Sequence, residues 1–484
     1  MSWETVIGLE VHAELSTKTK IFCGCANAFG GEPNTHVCPV CAGMPGTLPV
    51  LNRAVVLYAV RLGLALDCRI SPLSRFDRKN YFYPDLPKAY QISQLYAPIC
   101  SDGRMEIEAG GVKKDIGIRE IHMEEDAGKL IHEGGESHMD FNRCGVPLLE
   151  IVTRPDFRGA DEVLAYLEKL REILTYLDIC DGKMQEGSLR VDVNLSLRPS
   201  MSGGENADRP YGTRTEMKNL NSFRSVRRAI EAERLRHIRI LEKGGQVAQE
   251  TRRWDDERGE SQPLRSKENA HDYRYFPEPD LLPIVIDDPL LEEARAGLPE
   301  LAHEKRDRYG RDFGLAAAEA IILTGHKGIA ALFEAVAARS GEPLESARLV
   351  TGEIMRLLHE NAVLPEDLAL DAGKLACLVT YVTEGKINRG AYKEAVEAVF
   401  LHDVDPVAYV AEKGLMMMTD SEAVAEAVRA VLAENAEAMA DYRAGKAKAF
   451  GFLVGQTMKA LGATADPRLV RTALEEAVTS PLLR

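Results

Sequence analysis

Four of the nine cysteines crowd into one stretch, "CGCANAFGGEPNTHVCPVC", as Cys23, Cys25, Cys38 and Cys41. A C-x-C pair and a C-x2-C pair stand twelve residues apart, with Gly and Pro between them to turn the backbone. The pattern fits a tetrahedral zinc site of four thiolates, and a site with four protein ligands is closed, hence structural. His36 is a candidate substitute ligand. The other five cysteines are scattered, and an odd total argues against a disulfide framework.

A second set of chemistry-bearing residues falls on alternating positions. In "GLEVHAEL", Glu10, His12 and Glu14 take one side of a strand and Leu9, Val11, Ala13 and Leu15 the other. In "SLRVDVNLSL", Arg190, Asp192, Asn194 and Ser196 oppose Leu189, Val191, Val193 and Leu195. "TRTEMKNLNS" sets Arg214, Glu216 and Lys218 on one face, and "EIHMEEDAGK" gathers His122, Glu124, Glu125 and Asp126 ahead of a turn at Gly128. If these strands share a sheet, one face collects carboxylates, amides and basic groups. Such clusters suit Mg2+, which takes a few carboxylates together with waters and phosphates. A solvated sheet face would show the same alternation. Glu124 and Glu125 point oppositely in a regular strand, so both reach one ion only if the strand ends there. "RKNYFYPDLPKAYQISQ" sets aromatic and proline residues beside Arg78, Lys79 and Lys88, the composition of a packed loop or of one that lines a substrate. No G-x4-G-K-[ST] is present, which excludes a P-loop, and no G-x-S-x-G supplies a nucleophile elbow.

These residues need elements to hold them. A chain of 484 residues, 45% apolar, is long enough for about three domains with real cores. No apolar run approaches the ~20 residues needed to span a bilayer. The richest, "LPVLNRAVVLYAVRLGLALD", is broken by Arg53 and Arg61, and the N-terminus runs directly into a strand pattern, so a cytoplasmic protein without a membrane anchor is expected. The net charge of -15 argues against a generic polyanion-binding coat, yet residues 441–484 carry seven Lys/Arg against four Asp/Glu. Residues 1–293 are rich in Gly, Pro and alternation: "VIGLEVHAEL", "RMEIEAGGVKKDIGI", "PLLEIVT" and "SLRVDVNLSLRP" read as strands. "SFRSVRRAIEAERLRHIRILEKGG" reads as a helix with Ser222 as N-cap and Gly244 as terminator. From 294 on, the composition is helical, with a capping box at Thr419/Glu422 and a cap at Asp466 before Pro467. The expected division is 1–293, 294–405 and 406–484, in an α+β chain with antiparallel sheets first and helices after.

"GLEVHAEL", "RKNYFYPDLPKAYQISQ", "HMEEDAGK", "NRCGVPLLEIVT", "RVDVNLS", "EMKNLNSF", "RSKENAHDYRYFPEPDL" and "GKAKAFGFLVGQTMKA" occur in order over nearly the whole chain. Together they resemble the B-subunit family of the tRNA-dependent amidotransferases. The resemblance implies a cradle domain related to glutamine synthetase, a helical domain and a small YqeY-like tail. It implies that ATP and Mg2+ phosphorylate the side-chain carboxylate of Glu-tRNA(Gln) or Asp-tRNA(Asn), and that ammonia then displaces phosphate. The ammonia would come from an amidase-like glutaminase partner, with a third, small subunit completing a heterotrimer. On this likeness Glu10, His12, Glu124, Glu125 and Asp192 are the phosphoryl-transfer residues, with Glu10, His12 and Glu125 on the metal. Lys79, Lys88 and Arg190 offset phosphate charge, and Lys446, Lys448 and Lys459 meet tRNA. Zn2+ occurs in only some members, so the cysteines carry that reading themselves. Ala89 stands where Gly is expected, Arg154 where an acid precedes Pro155, and Cys144 where a small residue is usual. The competing reading is a zinc-stabilised tRNA-binding adaptor without catalysis, its carboxylate faces merely solvated.

Overall fold

The stretch around Glu10 and His12 forms β1 (Trp3–Glu14), the middle strand of a nine-stranded sheet. The remaining strands of this sheet, in chain order, are β2 (Arg69–Ile70), β3 (Cys100–Ala109), β4 (Val112–Glu125), β5 (Pro147–Thr153), β6 (Leu189–Pro199), β7 (Thr215–Lys218), β8 (Glu250–Asp255) and β9 (Glu260–Ser266). In space the order is β9-β8-β7-β6-β1-β5-β4-β3-β2, antiparallel throughout except for the parallel pair β7 and β8. The four stretches that alternate in the sequence lie on β1, β3–β4, β5 and β6.

This computed structural model describes residues 2–200, 210–266, 273–417, 421–443, 446–461 and 465–479. The apolar residues of the central strands, among them Leu9, Val11, Leu149, Ile151, Val191 and Val193, are buried. Helices α1 (Arg53–Ala65), α2 (Ala160–Tyr176) and α3 (Phe223–Glu242) pack against the sheet. Ser222 caps α3, its Oγ accepting from Ser225 N–H at 3.0 Å, and Gly244 leaves it at φ +75°, where a side chain would be strained. A small sheet of Asp77–Asn80, Tyr90–Ser93 and Phe276–Pro277 docks on the end of β4. There Ile92 N–H donates to Glu125 Oε1 at 2.8 Å and Met123 N–H to Gln94 Oε1 at 2.9 Å. Ala89, just before this docking strand, has φ +65°, which explains why Gly is the residue expected there. Arg154 is held outside the sheet's polar rows by Asp102 at 2.9 Å, and Cys144 is simply buried.

The chain divides into two units, Met1–Leu301 and Ala302–Arg484. The division comes later than residue 293 because helix Asp288–Ala296 packs on α1, with Glu293 ion-paired to Arg53. Every regular element described in the second unit is helical, and it holds two apolar cores. One gathers residues from Tyr309 to Val410, so helix Pro406–Glu412 belongs with what precedes it rather than with the tail. The other gathers Val424, Val428, Leu453, Val470 and Leu474 from helices Ser421–Glu434, Ala447–Leu461 and Pro467–Thr479. Asp466 caps the last, its carboxylate accepting from Arg468 N–H at 2.7 Å, whereas Thr419 of the expected capping box lies outside the described residues. Among the described residues no single helix is long and apolar enough to cross a membrane.

Candidate active site

Strand register assembles the polar face. Glu10 of β1 lies opposite Asp192 of β6, and His12 lies opposite Arg190 of β6 and Glu150 of β5. Glu150 in turn lies opposite His122 of β4, so one row reads His122, Glu150, His12, Arg190 across four strands. On β6 and β7 Asn194 faces Glu216, and Asn194 Nδ2 donates to Glu10 Oε1 at 3.0 Å. Because alternate residues share a face, each apolar partner in these strands points to the core, and the polar rows are left over it as a floor.

The floor carries two groups of potential cation ligands. His12, Glu124 and Glu150 offer one ligand atom each, all within 4.8 Å of one another, and so do Glu10, Asp192 and Glu216. In the first group His12 Nε2 is 3.5 Å from both carboxylates, and His122 Nε2 is 2.7 Å from Glu150 Oε2. Burial opposes the imidazolium of His12, but Glu150, Glu124 and Asp192 outweigh it and raise its pKa to about 9. Burial likewise opposes the Glu150 carboxylate, yet His122 and His12 hold it well below the usual range. In the second group, burial and then the charges of Glu150, Asp192 and Glu216 push Glu10 up. Lys218 is the cation already among them, ion-paired to Asp192 and 3.2 Å from Glu216. Crowded, half-neutralised carboxylates of this kind match the hard oxygen donors that Mg2+ takes, and the spacings admit one ion per group.

Above the floor opens a cleft of about 740 Å³, lined by His12, Lys79, Glu124, Arg190, Asp192 and Lys218 among others. Lys79 enters it from Asp77–Asn80 with its ammonium 5.2 Å from the Tyr273 ring centre. Arg190 is held by Asp126 at 2.7 Å and lies 3.8 Å from Glu14. Of the residues singled out in the sequence, Glu10, His12, Glu124 and Asp192 thus share the floor, with Lys79 and Arg190 at its rim.

Glu125 and Lys88 do not join them. β4 runs on through both glutamates, so Glu125 points away from Glu124 and contributes to neither ligand group. It lies instead with Lys88 in a smaller cavity of about 220 Å³ beside Cys41. Its carboxylate is ion-paired to Lys88 and accepts from Ile92 N–H. Glu125 is therefore not a partner of Glu10 and His12 for one ion, and Lys88 is spent on Glu125. Glu150 was not legible as a site residue: it is one acid in the apolar run "PLLEIVT", and only its pairing with His12 gives it meaning. Glu216 and Lys218 were visible as a polar face but not as neighbours of Asp192.

The cysteine cluster closes as the spacing requires. The four Sγ atoms lie within 4.8 Å of one another, with Cys25–Cys41 at 3.9 Å and Cys38–Cys41 at 3.8 Å. Zn–S bonds of about 2.3 Å in a tetrahedron give edges of about 3.8 Å. Cys38 N–H also donates to Cys41 Sγ at 3.2 Å, so backbone and thiols are both arranged for a metal. In the second unit Lys448 and Lys459 are exposed on helix Ala447–Leu461, and their eleven-residue spacing, three helical turns, puts them on one face. Lys446, just ahead of that helix, pairs with Asp441 at 2.8 Å.

Comparison with known proteins agrees over the whole length. Residues 5–292 match the family described as GatB/GatE catalytic domain, and residues 331–478 match the GatB domain. The chain is 54% identical over 476 residues to the B subunit of the aspartyl/glutamyl-tRNA(Asn/Gln) amidotransferase of Lachnoclostridium phytofermentans, covering 98% of each. It is also 54% identical to the protein of that name in Caldicellulosiruptor bescii, over 98% of this chain and 99% of that one. The rows of carboxylates and imidazoles lie wholly inside the matched catalytic region, and the chain belongs to the GatB/GatE family of amidotransferase B subunits.

Proposed function

We propose that the cleft activates the side-chain carboxylate of Glu-tRNA(Gln) or Asp-tRNA(Asn) with ATP and then converts it to the amide. The observation that carries this reading is the pair of ligand groups on one face of the sheet, joined at Glu10 and Asp192 by strand register, with His12, Glu124 and Asp192 lining the cleft. A carboxylate is a poor electrophile. Its oxygen attacks the γ-phosphorus of ATP and ADP leaves; ammonia then attacks the acyl carbon, phosphate leaves, and the nitrogen gives up a proton. Mg2+, held by Glu124 and Glu150, with His12 joining them on loss of its ring proton, and by Glu10, Asp192 and Glu216, would supply charge neutralisation for the phosphates. The chain's own cations add to this. Lys79 and Lys218 both line the cleft, and Arg190 is fixed in direction by Asp126. Asn194 holds Glu10 in one rotamer through its amide hydrogen bond.

On the same reading the cysteine cluster holds a structural Zn2+. The cradle is glutamine-synthetase-like, and the helices after it form a middle domain and a YqeY-like tail that meets tRNA. An amidase-like glutaminase partner supplies ammonia and a third, small subunit completes the complex, in the cytoplasm where translation takes place. The test is an ATP-dependent Glu-tRNA amidation assay on the chain purified with its partner subunits. Glu10→Gln and Glu150→Gln should each lower Glu-tRNA-dependent ADP formation by at least ~100-fold, about 2.7 kcal/mol, while glutamine hydrolysis by the partner persists. Wild-type rates in both variants would reduce the floor to a solvated sheet face.

A further inference from the structure

Lys20 is completely buried, which is rare for a lysine without a carboxylate partner, and no such partner is found among the described residues. Its ammonium has three donors. One goes to the His36 carbonyl at 2.7 Å, one faces the Phe141 carbonyl at 3.5 Å, and the third faces Cys41 Sγ at 3.7 Å. Cys41 is the buried member of the four cysteines. Lys20 directly follows Thr19, which bridges to Ala26, and its own N–H donates to the Cys25 carbonyl at 3.0 Å, so its backbone is part of the first knuckle.

We propose that Lys20 is the counter-cation of the four-cysteine centre. The inference rests on the zinc reading of that centre and not on the amidotransferase reaction. Four thiolates around one Zn2+ carry a net charge of two minus, and burying that charge is costly unless something offsets it. The Lys20 ammonium, placed on the buried ligand, brings the assembly to one minus and donates to the sulfur, as partners beyond the ligand shell do in other metal sites. A bland alternative uses the same contacts: Lys20 merely ties the His36 turn to Phe141 through two carbonyls. The two readings differ in whether charge matters.

The experiment follows zinc release to a colorimetric chelator from the full-length chain in complex with its partner subunits. Lys20→Met removes charge and donors, Lys20→Gln keeps donors without charge, and Lys20→Arg keeps both. Release should be about tenfold faster in the Met and Gln variants and within twofold of wild type in the Arg variant. In Co2+-substituted protein, the thiolate-to-metal charge-transfer band should move to lower energy in Met and stay in place in Arg. If the Met variant does not assemble, Gln against Arg still separates charge from tether. Wild-type release in Gln, or release in Arg as fast as in Gln, overturns the proposal. A wild-type complex that takes up no zinc overturns the zinc reading beneath it.

Discussion

Glu124 and Glu125 are adjacent in sequence, nearly equal in burial and opposite in direction, so the same substitution at each should have unlike effects. Glu124→Gln keeps shape and the neighbourhood of Ser93 Oγ, 3.3 Å away, but removes one anionic ligand beside His12. His12 loses one of its two facing carboxylates but keeps Glu150 at 3.5 Å, so the unfolding midpoint should fall less than in Glu125→Gln. Mn2+ binding, used as a probe for Mg2+, should weaken, and Glu-tRNA-dependent ADP formation should fall by at least ~100-fold, about 2.7 kcal/mol. Glu125→Gln instead leaves Lys88 without its counter-charge. Removing one partner of a buried ion pair costs roughly 3–5 kcal/mol. The Lys88 side chain retains 13% exposure and lies 5.3 Å from the Tyr90 ring centre, so the lower end, about 3 kcal/mol, applies. With a urea slope of ~3 kcal/mol/M, the cradle's transition should move down by about 1 M. Lys88→Met should do the same, and the double variant should lose less than the sum, because neither charge is then stranded. Mn2+ titration and urea unfolding on the same four proteins decide it. The reasoning fails if Glu125→Gln loses Mn2+ while Glu124→Gln binds it as wild type does.

Replacing Cys38 and Cys41 with Ser should remove about one zinc per chain and destabilise the cradle, read by metal analysis and thermal unfolding. Glu233, buried under β7–β9, is held below the ordinary carboxylate range: burial works against this, but His237, Arg236 and Ser261 outweigh it. Its stabilising contribution is therefore present above the unfolded value near 4.5 and lost as pH falls toward the lowered folded value. Glu233→Gln should flatten the acid limb of a stability–pH curve below about pH 4.5 while lowering stability at pH 7; an unchanged limb would place the acid sensitivity elsewhere. Lys448→Glu with Lys459→Glu should weaken tRNA binding and reduce its salt dependence, leaving glutamine hydrolysis intact; filter binding at two salt concentrations reads both.

The strands were legible because alternation is a local property: "GLEVHAEL" and "SLRVDVNLSL" each announce two faces without help from any other segment. The cysteine centre was legible for the same reason, its ligands lying within one short loop. What could not be read was register. Nothing near Glu150 says that it faces His12, since β5 and β1 are about 140 residues apart in the chain. The separate placement of Glu125 has the opposite origin. Two acids side by side suggest a shared ion, and only the continuation of β4 through both turns one of them away. Ala89 illustrates a third case, where the expected Gly reflects a left-handed backbone that the sequence itself does not reveal.

The central place of β1 also bears on how the chain is made. β1 leaves the ribosome well before either of the two strands it pairs with, Pro147–Thr153 and Leu189–Pro199. At ~5–20 residues per second, on the order of ten to forty seconds pass before β6 emerges to pair with it. During that interval β1 has two unpaired edges and an apolar face, the form of segment that pairs with the wrong chain. Nascent-chain arrest short of residue 189 should therefore yield chaperone-bound, protease-sensitive N-termini, and arrest well beyond residue 199 should protect them. The polar residues of β1 are thus, during synthesis, the charged interruptions of an otherwise adhesive strand. Charges at Glu10, His12 and Glu14 are of the kind that discourages edge-to-edge pairing of such a strand.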